Sequence, residues 1–398
     1  MAYRKPNSFC YAVAQVACFV FAAAVFRRKF LRNEIRGKKG PFVVVANHQA
    51  AYDFANLMGA TARPMSFVIS NSFYRSLPLK GFLKSIGVIP KQQFQTTATD
   101  LKRMKEVIDR GEALVIYPAG LMCEDGLSTP IPEATYKFLK WLKADVYVAR
   151  TDGTYFAMPK WSKKTHPGKT TLDIYRLFTK EELEKASVEE VREQVDDALL
   201  FDAYRKQEEL LVPYYQGAHI AGLEDVLYAC PCCGREFTIS LKEPSTLCCT
   251  ACGFETESDK FGFLHTKNPS GTELRYVSDW SRKIYDRLKE KVSVGEISPF
   301  SLETEIWMID ERKHKFVPMG EGEISFDGGR FVLTGKTNEG DEISVCQPAV
   351  PALPFSPGKY LELQEGERIY RCRLKEGKQV MKLIHLLKIS FELQQKSE

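Results

Sequence analysis

Residues 9–26 read FCYAVAQVACFVFAAAVF, eighteen residues in which only Gln15 is polar. As an α-helix this segment would be about 27 Å long at 1.5 Å per residue. That is just short of a bilayer hydrocarbon core of about 30 Å. Such a helix can span marginally, lie partly embedded as a monotopic anchor, or be buried in a protein core. A cleavable signal peptide, with Arg4 and Lys5 as its basic start, shares the same pattern. The flanking charge favours an anchor. Arg27, Arg28, Lys29, Arg32, Arg36, Lys38 and Lys39 come directly after the apolar stretch, with Glu34 as the single acid among them. A run of this kind attracts anionic headgroups and disfavours export of the chain behind it. The expectation is therefore a membrane anchor over residues 1–39, with the body on the cytoplasmic side.

The charge balance supports this division. The 398 residues carry a net charge of +5. Residues 1–40 hold nine basic side chains against Glu34, a charge of +8, which leaves −3 for the rest. A body of that charge offers nucleic acid no electrostatic surface, so no nucleic-acid partner is expected. With 44% hydrophobic and 27% charged residues, wholesale disorder is excluded. Of the 11 cysteines, six fall between positions 230 and 252. An odd total clustered in this way suits metal binding in a reducing compartment better than a disulfide framework.

Behind the anchor, short β-branched runs alternate with helical patterns. Phe42–Ala46, Met65–Ser70, 113–117, 146–149 and 172–178 read as strands. Ala98–Asp109 places Leu101, Met104, Val107 and Ile108 on one helix face, and Gly111 ends it. Residues 135–143 read as another helix. Thr179-x-x-Glu182 and Ser187-x-x-Glu190 are capping boxes that start acidic helices. The fold class is α/β, a layered sheet with helices, over residues 40–222. A cysteine module occupies 223–258. Residues 259–398 show an amphipathic helix near 279–292, then six short alternating runs, then helical periodicity over 378–393. That order predicts a small β-rich barrel or sandwich closed by a C-terminal helix, of which a pleckstrin-homology-like shape is one form. Lys160, Lys163, Lys164 and Lys169, with Trp161 and His166, read as a solvated loop.

The chemistry lies at the end of the first strand, in Asn47-His48-Gln49-Ala50-Ala51-Tyr52-Asp53. A strand delivers His48 to its end, and Asp53 comes five residues later at the start of a helix. A loop can fold the carboxylate back to hold Nδ1–H of the imidazole, which leaves Nε2 to take a proton from an alcohol. No Gly-x-Ser-x-Gly elbow occurs, so the hydroxyl would come from a substrate.

The chain here resembles the glycerolipid acyltransferase family, which includes the 1-acylglycerol-3-phosphate acyltransferases. Asn47, His48 and Asp53 match that family's Asn-His-x4-Asp block. Gly87-Val88-Ile89-Pro90-Lys91 is similar to its second block, and Tyr117-Pro118-Ala119-Gly120-Leu121-Met122 to its third. Val146-Tyr147-Val148-Ala149-Arg150 is similar to its fourth. The resemblance implies a glycerolipid-acyltransferase-like fold. It implies direct transfer of a fatty acyl group from acyl-coenzyme A or an acyl carrier protein thioester to a (lyso)lipid hydroxyl. His48 would be the general base and Asp53 its orienting partner. Asn47, Lys91, Pro118, Ala119, Gly120 and Arg150 would line the substrate, with backbone amides near 118–120 meeting the oxyanion. For the lysines and aromatics of 160–169, the alternative to a solvated loop is a basic aromatic contact for coenzyme phosphates, carrier-protein acids or lipid headgroups. Two positions depart from the pattern. Ala119 stands where the family has glutamate and Met122 where it has arginine. These leave a second reading, a catalytically inactive lipid-binding scaffold at the membrane.

Cys230-x2-Cys233 and Cys249-x2-Cys252, fifteen residues apart and each followed by glycine, have the spacing of a closed four-thiolate zinc ribbon. Its surroundings (Glu236, Lys242, Glu243, Glu255, Glu257) are not basic. A structural zinc that staples a short domain or presents it to a protein partner, an acyl carrier protein among them, is the expected role. His219, His265, His314 and His385 are isolated and read as surface or packed residues.

Overall fold

The computed structural model describes residues 5–93, 97–217, 219–267, 273–327 and 329–397. Arg4, counted above with the basic start, lies outside them. The chain divides into two compact units. One comprises residues 1–160 and 165–214, the other 161–164 and 215–398.

The first unit is a seven-stranded sheet with helices on both faces. Its strands are β1 (Lys29–Asn33), β2 (Phe42–Ala46), β3 (Met65–Ser70), β4 (Ile89–Lys91), β5 (Ala113–Ile116), β6 (Asp145–Asp152) and β7 (Thr171–Phe178). Their order is β1-β7-β6-β2-β5-β3-β4. From β6 to β4 every neighbouring pair is parallel, and β7 pairs with β6 antiparallel. The helices are α1 (Ser8–Phe21), α2 (Asp53–Met58), α3 (Asn71–Arg75), α4 (Lys80–Ser85), α5 (Ala98–Asp109), α6 (Ala134–Leu142), α7 (Thr154–Ala157), α8 (Lys180–Lys185), α9 (Val188–Leu199) and α10 (Ala203–Leu210).

The central strands are apolar on both sides because both sides are covered. Val43, Val45, Leu114, Ile116, Val146 and Val148 face one core, with Met104 and Val107 of α5, Leu139 of α6 and Val191 of α9. Phe42, Val44, Val115, Tyr147 and Ala149 face the other, with Leu57 and Met58 of α2 and Tyr11 and Ala14 of α1. The period of two along each strand sorts these residues. Each fully buried side chain of this size contributes about 1.5–3 kcal/mol. The capping boxes of α8 and α9 form as the sequence indicates. A third, Thr97 with Asp100, starts α5.

The apolar segment is tied to this unit. Helix α1 continues as a π-helical turn, Ala22–Phe26, and Tyr11, Ala14, Ala22 and Phe26 are buried. Gln15, its one polar residue, donates to the carbonyls of Met58 and Thr61 at 3.1 and 2.7 Å. Phe9, Val13, Val16, Phe19 and Val20 form an exposed stripe on the other side. The helix is long and apolar enough to cross a membrane by length and composition. The basic run behind it is in part spent inside the unit. Arg32 pairs with Asp173 at 2.6 Å and Lys38 with Asp145 at 3.0 Å.

The second unit holds two sheets. The first has β8 (Ile239–Glu243), β9 (Thr246–Cys249), β10 (Glu255–Ser258) and β11 (Leu264–Lys267), antiparallel, in the order β11-β10-β9-β8. Helix α11 (Val277–Ser293) fixes it, with Trp280 fully buried against Phe254 and donating from Nε1 to the Ala229 carbonyl at 2.9 Å. The second sheet contains β12 (Phe300–Asp310), β13 (Lys315–Asp327), β14 (Arg330–Thr337), β15 (Glu342–Gln347), β16 (Phe355–Ser356), β17 (Tyr360–Glu365) and β18 (Arg368–Leu374). It is antiparallel throughout, in the order β15-β14-β13-β12-β18-β17-β16, and α12 (Val380–Ser397) comes after it. This is the small β-rich body with a closing helix that the alternating runs indicate.

One local expectation holds in part. In the stretch read as a solvated loop, Lys163, Lys164 and Lys169 are exposed, but Trp161 and His166 are buried and the Lys160 side chain is only 5% exposed. Periodicity carries no signal in so short a stretch, so tertiary packing decided it.

Candidate active site

The site is built at the carboxyl ends of parallel strands, where open α/β sheets leave a crevice. Strand β2 ends at Ala46 and releases Asn47, His48 and Gln49. Asn47 is buried and closes a two-way bridge to the neighbouring strand. Its Nδ2 donates to the Thr151 carbonyl and its Oδ1 accepts from the Thr151 amide, both at 2.8 Å. Its role is thus to fix the strand end.

His48 is next, with its side chain about one-fifth exposed. Its Nδ1 lies 3.0 Å from Asp53 Oδ2. That oxygen also accepts from the amides of Gln49 at 2.7 Å and Ala50 at 2.9 Å. Asp53 is 1% exposed and sits in the first turn of α2, where the helix dipole favours a carboxylate. Three donors on one oxygen hold the loop closed and stabilise the buried negative charge. Nδ1 therefore carries the proton, and among the described residues Nε2 has no partner. An imidazole held this way can take a proton at Nε2. The Tyr117 ring lies against that of His48, centroids 4.6 Å apart. Burial pushes its phenol well above the usual value, so it stays neutral.

Gln49 had no assigned role in the sequence. It is 1% exposed, and its Oε1 accepts from the Tyr155 amide at 3.2 Å and the Thr154 hydroxyl at 3.4 Å. Its carbonyl accepts from the buried thiol of Cys123 at 3.8 Å. The loop that presents Asp53 is so fastened to α7 and to the segment after β5.

Two other blocks meet at the same end of the sheet. Strand β4 ends at Lys91, paired in register with Ser70. The Lys91 ammonium donates to the Gln92 carbonyl at 3.2 Å and has no carboxylate partner among the described residues. Burial lowers its pKa from the ordinary lysine value, and nearby Asp100 opposes that shift. Gln93 Nε2 donates to the Gly120 carbonyl at 2.7 Å and joins this strand end to the turn 117–120. Within the turn the Gly120 amide donates to Tyr117 O at 3.0 Å, at φ +71°. Pro118 has no N–H. Of positions 118–120, Ala119 alone keeps a backbone donor without a partner among the described residues. Just beyond this turn, the buried Lys160 ammonium donates to the Met122 carbonyl at 3.5 Å.

Arg150 goes elsewhere. It projects from β6 on the α9 side, and its Nη1 donates to the carbonyls of Ala198 and Leu200 at 3.3 and 3.4 Å. Those are carbonyls at the C-terminus of α9, a favourable place for a cation. No hydrogen bond or ion pair among the described residues links it to His48.

In the second unit, Sγ atoms of Cys230, Cys233, Cys249 and Cys252 all lie within 4.8 Å of one another. Cys230 and Cys252 are 3.6 Å apart, Cys233 and Cys249 3.8 Å. A tetrahedron of thiolates at the Zn–S distance of about 2.3 Å has edges of about 3.8 Å. The donor set therefore fits a structural zinc ion. Gly234 and Gly253, each just after a Cys-x2-Cys pair, have φ of +73° and +72°. Their amides return to the Cys230 and Cys249 carbonyls, each at 3.0 Å. Cys248 precedes Cys249 in β9, so strand alternation turns it to the opposite face.

Residues 27–157 match the acyltransferase family model. No curated protein matches the chain. Two solved structures are similar in part. One is a 1-acyl-sn-glycerophosphate acyltransferase from Thermotoga maritima, at 20% identity and a TM-score of 0.42, covering 51% of this chain and 79% of that one. The other is the Ran-binding domain of a nuclear complex component from Ashbya gossypii, at 15% identity and a TM-score of 0.19, covering 25% of this chain and 95% of that one.

Proposed function

We propose that the acyltransferase-family segment makes this chain a membrane-associated O-acyltransferase. It moves a fatty acyl group from a thioester of coenzyme A or an acyl carrier protein to the hydroxyl of a (lyso)lipid. The observation that carries this reading is the His48–Asp53 pair, with Asp53 buried and locked by two amides.

In the reaction, His48 Nε2 takes the hydroxyl proton as the lipid oxygen bonds to the thioester carbonyl carbon. The carbonyl oxygen becomes the oxyanion, and the Ala119 amide is the donor offered to it. The C–S bond then breaks, and the imidazolium passes its proton to the departing sulfur, which leaves as the free thiol and restores neutral His48. Lys91 supplies a cation for a phosphate on the acceptor or donor. Asn47 acts by fixing the strand end. Helix α1 lies on the lipid surface as a monotopic anchor, its exposed stripe in the acyl boundary and the active site on the cytoplasmic side.

Acyl transfer to a panel of lysolipids tests the reading. His48→Ala lowers turnover by about 10²–10⁴-fold, the range for loss of a general base. Equal turnover by wild type and variant would sink it. Ala119 and Met122 favour a second reading, an inactive scaffold that retains lipid. No product from any acceptor, with lipid still bound to the purified protein, would establish that alternative.

Cys230, Cys233, Cys249 and Cys252 hold a structural zinc that orders the ribbon, and the ribbon serves as a contact for a protein partner. Metal analysis of purified protein tests the assignment. One zinc per chain is expected, lost in Cys249→Ser and kept in Cys248→Ser. The reverse pattern would refute the ligand set.

A further inference from the structure

We propose that residues 71–85 form, together with the exposed stripe of α1, a docking surface for an anionic lipid bilayer. This rests on the reading that the chain works at a membrane, and it adds a second lipid-facing element to α1.

The segment contains α3, α4 and the turn between them. Its apolar residues are Phe73, Tyr74, Leu77, Leu79, Phe82 and Leu83, and none of them is buried. Phe73 is 44% exposed and Leu79 57%. A helix on a water-facing domain normally buries its apolar stripe against the core. Phe82 and Leu83 pack in part against the core, whereas Phe73 and Leu79 remain exposed and lack apolar cover.

Charge identifies what supplies that cover. Between Asp53 and Asp100 the chain has no acidic residue, while Arg63, Arg75, Lys80, Lys84 and Lys91 fall in the interval. Three of those cations, Arg75, Lys80 and Lys84, lie within the segment itself. Apolar side chains interleaved with cations, and no carboxylate in the segment, complement anionic headgroups over acyl chains.

The segment is continuous with α1. The Asn7 amide donates to the Ser85 carbonyl at 2.7 Å. The two elements thus share one edge. Placement relative to the site is set by topology. Helix α3 leaves the C-terminal end of β3, and β3 runs parallel with β5 and β2. That is the end at which β2 releases His48. At the far end of α1, Phe21 packs on Tyr52 of the His48–Asp53 loop, with ring centroids 5.0 Å apart. A bilayer held on this surface brings its lipids to the opening of the His48 site.

Flotation of the full chain with vesicles of phosphatidylcholine alone, and with added phosphatidylglycerol, tests the proposal. R75Q/K80Q/K84Q loses at least about tenfold in affinity for the anionic vesicles, since each cation near such a surface is worth about fivefold. Its affinity for phosphatidylcholine alone is unchanged. F73S/L79S weakens binding to both vesicles by about tenfold. Both variants keep wild-type thermal unfolding and wild-type activity on detergent-dispersed substrate. Wild-type affinity in both variants would overturn the docking surface while the enzyme stayed membrane-bound through α1. Wild-type protein that floats with neither vesicle would overturn the membrane reading itself, and this surface with it.

Discussion

Each unit contains a histidine whose Nδ1 is hydrogen-bonded, and the two could hardly differ more in consequence. His48 meets a carboxylate and keeps about a fifth of its side chain in contact with solvent. His385, on α12, meets the Tyr228 hydroxyl at 3.3 Å and the Tyr285 ring, and it is buried. Burial, with Lys388 adding to it, pushes the His385 imidazole down to about 3. A carboxylate partner and an open Nε2 leave an imidazole able to accept a proton. A neutral partner in a closed core makes it a packing element that resists protonation. The environment separates the two roles, since the residue type is the same.

The difference between the two histidines depends first on Asp53. Asp53→Asn keeps the shape of the loop but offers the imidazole an amide and so loses control of the tautomer. Turnover should fall by about a thousandfold with little change in the acceptor KM. A loss confined to KM would mean that Asp53 serves binding instead.

His385 gives the converse expectation, a stability effect. Its folded-state value is depressed, so its contribution is present above the ordinary histidine value of 6.5. The unfolded chain takes up the proton first as pH falls, and the contribution is lost between 6.5 and about 3. Acid over that interval should cost roughly 3–5 kcal/mol from this group. His385→Phe should flatten the acid limb of unfolding monitored through the tryptophans of the second unit. An unchanged acid limb would show that the imidazole does not govern it.

Lys91 sharpens the contrast within the first unit. Its ammonium is held below the ordinary lysine value by burial, so the folded chain binds fewer protons than the unfolded one in the alkaline range. Stability from this group therefore rises with pH there, and the charged form is a cost at neutral pH. Lys91→Met should raise the melting temperature by a few degrees, while the KM for a phosphate-bearing acceptor rises about tenfold. A lower melting temperature would place the cation in a stabilising role.

Local patterns made much of this legible. The His48–Asp53 spacing, the two capping boxes and the Cys230–Cys252 set are each contained within a short stretch, and local geometry is enough to form them. Features that depend on distant partners were not. Gln49 gains its role from Tyr155 and Thr154, about a hundred positions away. Arg150 sits in a strand whose alternation points it toward α9, which no motif reveals. His385 looked isolated because its partners, Tyr228 and Tyr285, are remote in sequence.

Legible from sequence alone were five of the seven strands of the first sheet, the capped helices, the four thiolates, the histidine with its carboxylate five residues on, and an apolar helix followed by cations. These come from periodicity and short-range spacing, which the backbone honours wherever it is placed. Only the tertiary structure decided that Arg32 and Lys38 of the basic run close onto carboxylates of β7 and β6. It also decided that Gln15 closes on α2, that Phe73 and Leu79 stay exposed, and that Ala119 keeps the spare amide. Those outcomes depend on what packs against each residue, and strand order sets that across separations no local pattern spans.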